Sequence, residues 1–278
     1  MREREWIWHR SDVHLGRAEI GAVYDDVWAG GWEELFPNDA PGRFQGRELP
    51  DHGEWWTLDW SIEDVSRDAL RLTTRSTVIK ASCTKEIRLF TDEPRVSITY
   101  RIVSTEELPF HFLFKQHLPI RLTPACRLVL PGGWVHAVDP AFSTILAAGD
   151  PCAWPYGIGD DGRKVDLRVV RPASSLDQEF VYVTDLPQPW CGVDDVESQA
   201  SLRLSFDAAV FPYVWLFLSY GGWRNAYTAI LEPCTNMPKD LGEAAQRGQS
   251  ALLRPGEEFV STASVILAGF RPERRTQP

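Results

Sequence analysis

The sequence predicts an all-β fold, a large antiparallel β-sandwich, from three observations. Apolar and polar residues alternate with period two in one segment after another, Gly, Pro, Asn and Asp clusters separate these segments at intervals of about ten residues, and amphipathic helical patterns are nearly absent. The chain has 278 residues, a length that such sandwiches reach as one unit, so residues 1–278 are read as a single domain. A hydrophobic share of 44% with 12 Trp, 13 Phe and 7 Tyr supplies its core, since each aromatic buries roughly 150–250 Å².

Taken in order, DDVWAGGWEELFPND at 25–39 reads as a Gly- and Trp-rich loop that suits either stacking on a sugar, with Trp32 as the candidate indole, or an ordinary aromatic-anchored connection. LPDHGEWW at 49–56 puts His52 in a turn before Gly53, a residue that tolerates positive φ, and leads into a strand from Trp55 to Trp60. Strands are expected at 70–90 and 95–103. FHFLFKQHLPI at 110–120, read as one strand, sets Phe110, Phe112 and Phe114 on a core face. His111, Leu113, Lys115 and His117 then share the other face, with Lys115 and His117 about 6–7 Å apart. Further strands are expected at 165–170, 179–186 and 200–207, with turns at 131–133, 157–162 and 220–225 and a mobile Gly- and Asp-rich loop over 149–164. YTAILEPCTNMPKDL at 227–241 reads as a strand that stops at Glu232, because Pro233 has no N–H and holds the residue before it extended. A short helix fits 238–248, and the tail RPERRTQP is expected to fray.

Charge and motif content exclude several functions. The 29 Lys and Arg against 39 Asp and Glu give a formal net charge of -10, the wrong sign for a nucleic acid or an anionic membrane. Aromatic excess without basic excess suits a small-molecule sugar as partner, and no feature specifies a partner subunit. Five widely spaced cysteines with no C-x-x-C pair suggest neither a disulfide framework nor a zinc site. The N-terminus MREREWIWHR lacks the apolar stretch of a signal peptide, and no apolar run is long enough to cross a bilayer, so a cytoplasmic protein is expected. His111 and His117 are six apart rather than an H-x-H pair, so no metal is expected. The chain also lacks a G-x-S-x-G elbow, a phosphate-binding loop and a dinucleotide fingerprint, so no cofactor is expected.

GGWEELFPND, LPDHGEWW, FKQHLPI and ILEPCTNMPKDL occur in the order and approximate spacing of the motifs of the aldose 1-epimerase (galactose mutarotase-like) family. The chain resembles that family, in particular its divergent prokaryotic-type members, over most of its length. The resemblance implies a super-sandwich of antiparallel sheets with a cleft on one face. It also implies a metal-free acid–base reaction at the anomeric carbon of a free aldose. By position, Glu232 looks like the general base and His117 like the general acid. His52 looks like the second histidine, which holds the ring, and Asp177 in SSLDQEF like an aspartate that binds sugar hydroxyls; Lys115 and Trp32 complete the expected substrate contacts. The chain departs from the family in a shorter N-terminus, in lacking a counterpart of an arginine near the first motif, and in Glu54, where a small residue usually follows His-Gly. Two alternatives stay open: a non-catalytic sugar-binding protein, or a lyase or hydrolase on the same sandwich with Glu33, Glu34 or Glu54 as a second carboxylate. A phosphorylated substrate would call for basic side chains such as Arg71, Arg75, Arg121 and Arg224 to gather at the cleft.

Overall fold

The alternating segments pair into two large antiparallel sheets in a computed structural model of the protein, which describes residues 4–10, 18–138 and 141–269. The eight-stranded sheet has the order Cys126–Val129, Trp190–Asp195, Ala200–Phe206, Glu258–Ala268, Arg95–Ser104, Ala81–Leu89, Ala69–Ser76 and Ser61–Val65. The seven-stranded sheet has the order Glu33–Leu35, Lys115–Arg121, Tyr227–Cys234, Tyr213–Tyr220, Asp177–Thr184, Trp134–Ala137 and Cys152–Ala153. Every pairing within the two is antiparallel.

Side chains on successive residues leave a strand on opposite faces. In the seven-stranded sheet Leu118, Ile120, Leu216, Leu218, Ala229 and Leu231 enter the main core against the other sheet. The alternate residues do not simply meet water. Trp215, Phe180, Tyr182 and Cys234 form one small buried cluster on the opposite face, and Ile230 joins Tyr24, Trp28 and Leu35 in another. The central strands are therefore apolar on both faces, and the polar residues lying between the two small clusters stand out against an aromatic background.

Several expected elements differ in detail, each for a reason outside its own sequence. Residues 70–90 are a hairpin, not one run: Ser76 pairs with Ala81 across the turn. The expected single strand 110–120 breaks at Leu113 and Phe114, whose N–H groups donate to the Pro37 carbonyl at 2.6 Å and the Thr235 hydroxyl at 2.9 Å. Phe110–Phe112 pairs instead with Ala251–Leu253 in a separate ribbon, and His111 leaves the expected face to meet Ser250 Oγ through Nδ1 at 2.7 Å. The expected strand at Trp55 begins only at Ser61, because Trp55–Thr57 is a 3₁₀ turn in which the Thr57 N–H and hydroxyl both donate to the Glu54 carbonyl. The 165–170 strand shortens to Lys164–Asp166, where Asp166 Oδ1 accepts from the Arg168 N–H and turns the chain. Lys164–Asp166 pairs with Tyr156–Ile158, so the segment expected to be a mobile loop carries a hairpin. The short helix forms over Leu241–Gln246, its first turn capped by Asp240, which accepts from the Glu243 N–H. The tail RPERRTQP lies outside the described residues.

Candidate active site

Strand register gathers the first polar residues. Glu33 lies opposite His117, and Trp215 lies opposite Glu232. Between the Lys115–Arg121 and Tyr227–Cys234 strands, Leu231 pairs with Leu118 and Cys234 with Lys115, so the same register sets Glu232 across from His117. Opposed residues of an antiparallel pair point to one face. Glu33, His117, Glu232 and Trp215 thus form a row across four strands, and Lys115 lies one row away on the same face. The strand does not stop at Glu232, as its proline suggested; it continues through Pro233 to Cys234. The ladder to the Lys115 strand skips the rungs of Glu232 and Pro233 and closes again where the Thr235 N–H donates to the Phe114 carbonyl at 3.0 Å. The missing donor of Pro233 falls in that gap.

Two loops close over this row. The buried Asn38 amide donates to the Ala40 carbonyl at 3.0 Å and the Pro50 carbonyl at 2.6 Å, and the His52 N–H donates to the Asp39 carbonyl at 2.8 Å. These bonds bind the 36–40 and 50–54 segments together and bring Asp39 and His52 to the same cavity. A Cβ on Gly53 would stand 2.2 Å from the Phe36 carbonyl oxygen, and its φ is +72°, so this close crossing requires glycine. Glu54, the residue that departs from the family pattern, is fully buried and faces away from the cavity. Its carboxylate accepts from the Thr77 and Val78 N–H groups and from the Ser76 and Thr77 hydroxyls, tying the His-Gly turn to the hairpin turn at 76–80.

His52, Lys115, His117 and Glu232 line one cavity of ≈ 260 Å³, together with Tyr24, Trp28, Asp39 and Trp223. Lys115 Nζ lies 2.5 Å from Glu232 Oε2, 2.6 Å from Asp39 Oδ2 and 4.4 Å from the centre of the Trp215 ring. Burial works against the Lys115 ammonium, but Asp39 and then Glu232 outweigh it and hold its pKa above the usual lysine range. Burial likewise opposes the Asp39 carboxylate, yet Lys115 and then His52 keep it below its ordinary value. His52 Nδ1 sits 2.8 Å from Asp51 Oδ1, and its ring stacks on Tyr24 at 4.0 Å. Desolvation pulls its pKa down, but Asp39 and Asp51 raise it on balance. His117 Nδ1 lies 3.2 Å from Glu33 Oε1 and 3.3 Å from the Tyr24 hydroxyl, and the ring meets Trp28 edge-on at 5.0 Å.

Other expected site residues lie elsewhere. Trp32 does not line the cavity; its Nε1 donates to Gln116 Oε1 at 2.9 Å, and Gln116 alternates onto the core side of its strand. Asp177 also lies outside it, paired with Arg171 at 2.7 Å. Glu34 pairs with Lys85 at 2.6 Å on the core side. The four arginines do not gather: Arg71 pairs with Glu86, Arg121 with Glu5 and Arg224 with Asp26, while Arg75 is exposed on the eight-stranded sheet. Tyr24, Trp28, Asp39 and Trp223 were not singled out by sequence reasoning. Asp39 closes the quoted FPND motif, and its place beside the turn chemistry of Pro37 and Asn38 was the only local signal for it. Among the described residues, no group of three His, Cys, Asp or Glu side chains is arranged to hold a metal ion.

Solved structures with this fold include a galactose mutarotase related enzyme from Lactobacillus acidophilus. It matches at a TM-score of 0.65 and 11% identity, covering 95% of this chain and 87% of that one. A galactose mutarotase-like protein from Lactobacillus casei matches at 0.64 and 16%, covering 94% and 99%. An Escherichia coli protein provisionally assigned as an aldose 1-epimerase matches at 0.66 and 17%, covering 86% and 84%. At these identities the likeness is one of fold, and the chain has the galactose mutarotase-like sandwich. No family model and no curated protein sequence matches the chain.

Proposed function

We propose that the cavity binds a free aldose and interconverts its α and β anomers by acid–base opening of the ring. The observation that carries this reading is that His52, His117 and Glu232 line a single cavity with aromatic walls. In the proposed reaction the Glu232 carboxylate takes the proton of the C1 hydroxyl. The C1–O5 bond breaks, its electron pair stays on O5, and O5 takes the Nε2 proton of the His117 imidazolium, leaving the neutral ring protonated on Nδ1. Rotation about C1–C2 and the same steps in reverse deliver the other anomer and return both protons. His52, with Nδ1 held by Asp51, presents Nε2 to a ring hydroxyl, and Trp28 or Trp223 offers an apolar face to the sugar's C–H surface.

The reading is tested by polarimetry on freshly dissolved α-glucose and α-galactose. The protein is expected to speed the decay to equilibrium rotation, and Glu232→Gln to lower that catalysed rate by about 10²–10⁴-fold, the range for a positioned proton-transfer group. One observation favours a second reading, a sugar-binding protein without turnover: Glu232 Oε2 is already engaged by Lys115. Sugar binding by calorimetry together with a decay equal to buffer across a panel of aldoses would select it.

A further inference from the structure

We propose that Glu33 is the positioning residue of His117, fixing a proton on Nδ1 so that Nε2 is the ring nitrogen that exchanges protons in the cavity. The inference rests on the reading of His117 as the acid of that site. Glu33 carries no sign of this in the sequence, where it is one of two adjacent glutamates in a three-residue strand. The strand separates them. Glu34 turns to the core side, to Lys85 and the Tyr100 hydroxyl, while Glu33 stands directly across the ladder from His117.

The groups around the imidazole leave one arrangement of protons that satisfies all of them. Nδ1 faces Glu33 Oε1 at 3.2 Å and the Tyr24 oxygen at 3.3 Å. The Tyr24 hydroxyl also donates to Glu33 Oε1. Burial, and then the charge of Glu33, push the Tyr24 pKa well above its ordinary value, so the phenol keeps its proton. With that proton committed to Glu33, the phenol oxygen has only lone pairs to offer Nδ1, and the carboxylate has only lone pairs as well. Both neighbours of Nδ1 are acceptors, so Nδ1 must be the donor. Trp28 meets the ring edge-on from above, Lys115 lies two residues back along the strand, and Glu232 faces it across the opposite ladder. None of these is bonded to Nδ1 among the described residues.

Removing the Glu33 carboxylate reverses the logic. The Tyr24 hydroxyl loses its acceptor and turns its proton to Nδ1, which makes Nε2 the protonated nitrogen of the neutral ring. The experiment is the ¹⁵N and ¹³C NMR tautomer signature of His117 in the sugar-free protein, with kcat and KM from polarimetry alongside. Wild type is expected to carry the proton on Nδ1, and Glu33→Ala to carry it on Nε2. Turnover in Glu33→Ala is expected to fall roughly tenfold or more with KM little changed, because the acid is the imidazolium, whose Nδ1 proton Glu33 holds, and a neutral Nε2–H ring would have to leave as imidazolate, while the sugar site stays intact. The Tyr24→Phe variant is expected to keep the Nδ1–H form, since the carboxylate remains, and it carries the test if Glu33→Ala does not fold. An Nδ1–H signal that persists in Glu33→Ala, or that vanishes in Tyr24→Phe, would overturn the assignment. A protein that turns over no aldose yet shows the tautomer exchange would instead sink the proposed reaction and leave the Glu33 assignment standing.

Discussion

His52 couples the charge of the cavity to the stability of the fold, and the sign can be worked out from its neighbours. Its pKa is raised because Asp39 and Asp51 outweigh the desolvation of the ring. A raised base contributes stability that is complete below the ordinary imidazole value of about 6.5 and is lost as pH rises through the folded-state value. Asp39 and Asp51 are both held below their ordinary range, so their contribution is retained until the pH falls through those depressed values. Thermal melts of wild type and His52→Gln from about pH 5 to 9 should therefore show the largest Tm gap at the acid end, narrowing as the pH rises. A gap that widened toward alkaline pH would contradict the pairing. The expectation for His52 and Glu232 rests mainly on the resemblance of LPDHGEWW and ILEPCTNMPKDL to known motifs, with Gly53 and Pro233 as local marks that restrict the backbone beside them. Tyr24, and the place of Glu33 beside His117, had no such mark, because what defines them is a neighbour 93 or 84 residues away, reached through sheet register and loop closure.

At the scale of elements, the turn holding His52 depends on the hairpin of the other sheet. Glu54 lies at 0% exposure and its carboxylate is an acceptor for two backbone N–H groups and two hydroxyls of residues 76–78. Replacing it with Ala leaves buried donors unpaired, which costs about 1–3 kcal/mol per group before relaxation. Glu54→Ala is therefore expected to lose about 2–4 kcal/mol in urea unfolding with an unchanged m-value. A change below 0.5 kcal/mol, the range of ordinary surface substitutions, would show that the turn does not need this anchor. The same contact explains why the hairpin at 69–89 was read as one continuous strand. Its turn, Thr77 to Lys80, contains no Gly, Pro, Asn or Asp. The signal that would mark it is supplied instead by a carboxylate 23 residues upstream. The break at Leu113 and Phe114 has the same character, since Pro37 and Thr235 take the N–H groups that a continuous strand would use.

At the scale of the whole molecule, the all-β class was legible because alternation is a property of each strand by itself, whereas the order of the fifteen strands described in the two large sheets is a property of their partners. Charge is legible at both levels and leads to a prediction about substrate. The chain carries a formal net charge of -10, and among the described residues four carboxylates, Asp25, Asp39, Asp51 and Glu232, line the cavity against the two lysines 115 and 239. Lys115 is already shared between Asp39 and Glu232, and among the described residues no arginine lines the cavity. A phosphate would enter this field without the bidentate partners that phosphate recognition favours. Two unit charges 4 Å apart interact by about 4 kcal/mol at an effective dielectric of 20, and losing a third of that already amounts to about tenfold in kcat/KM. Under the proposed reaction, the phosphorylated form of the aldose is expected to show a kcat/KM lower than the free sugar's by about tenfold or more at 0.1 M salt, where screening extends over about 10 Å. The penalty should shrink toward 1 M salt, where the screening length falls to about 3 Å. Equal rates for the free and phosphorylated sugars at low salt would mean that the cationic side chains, and not the carboxylates, set the field that the substrate meets.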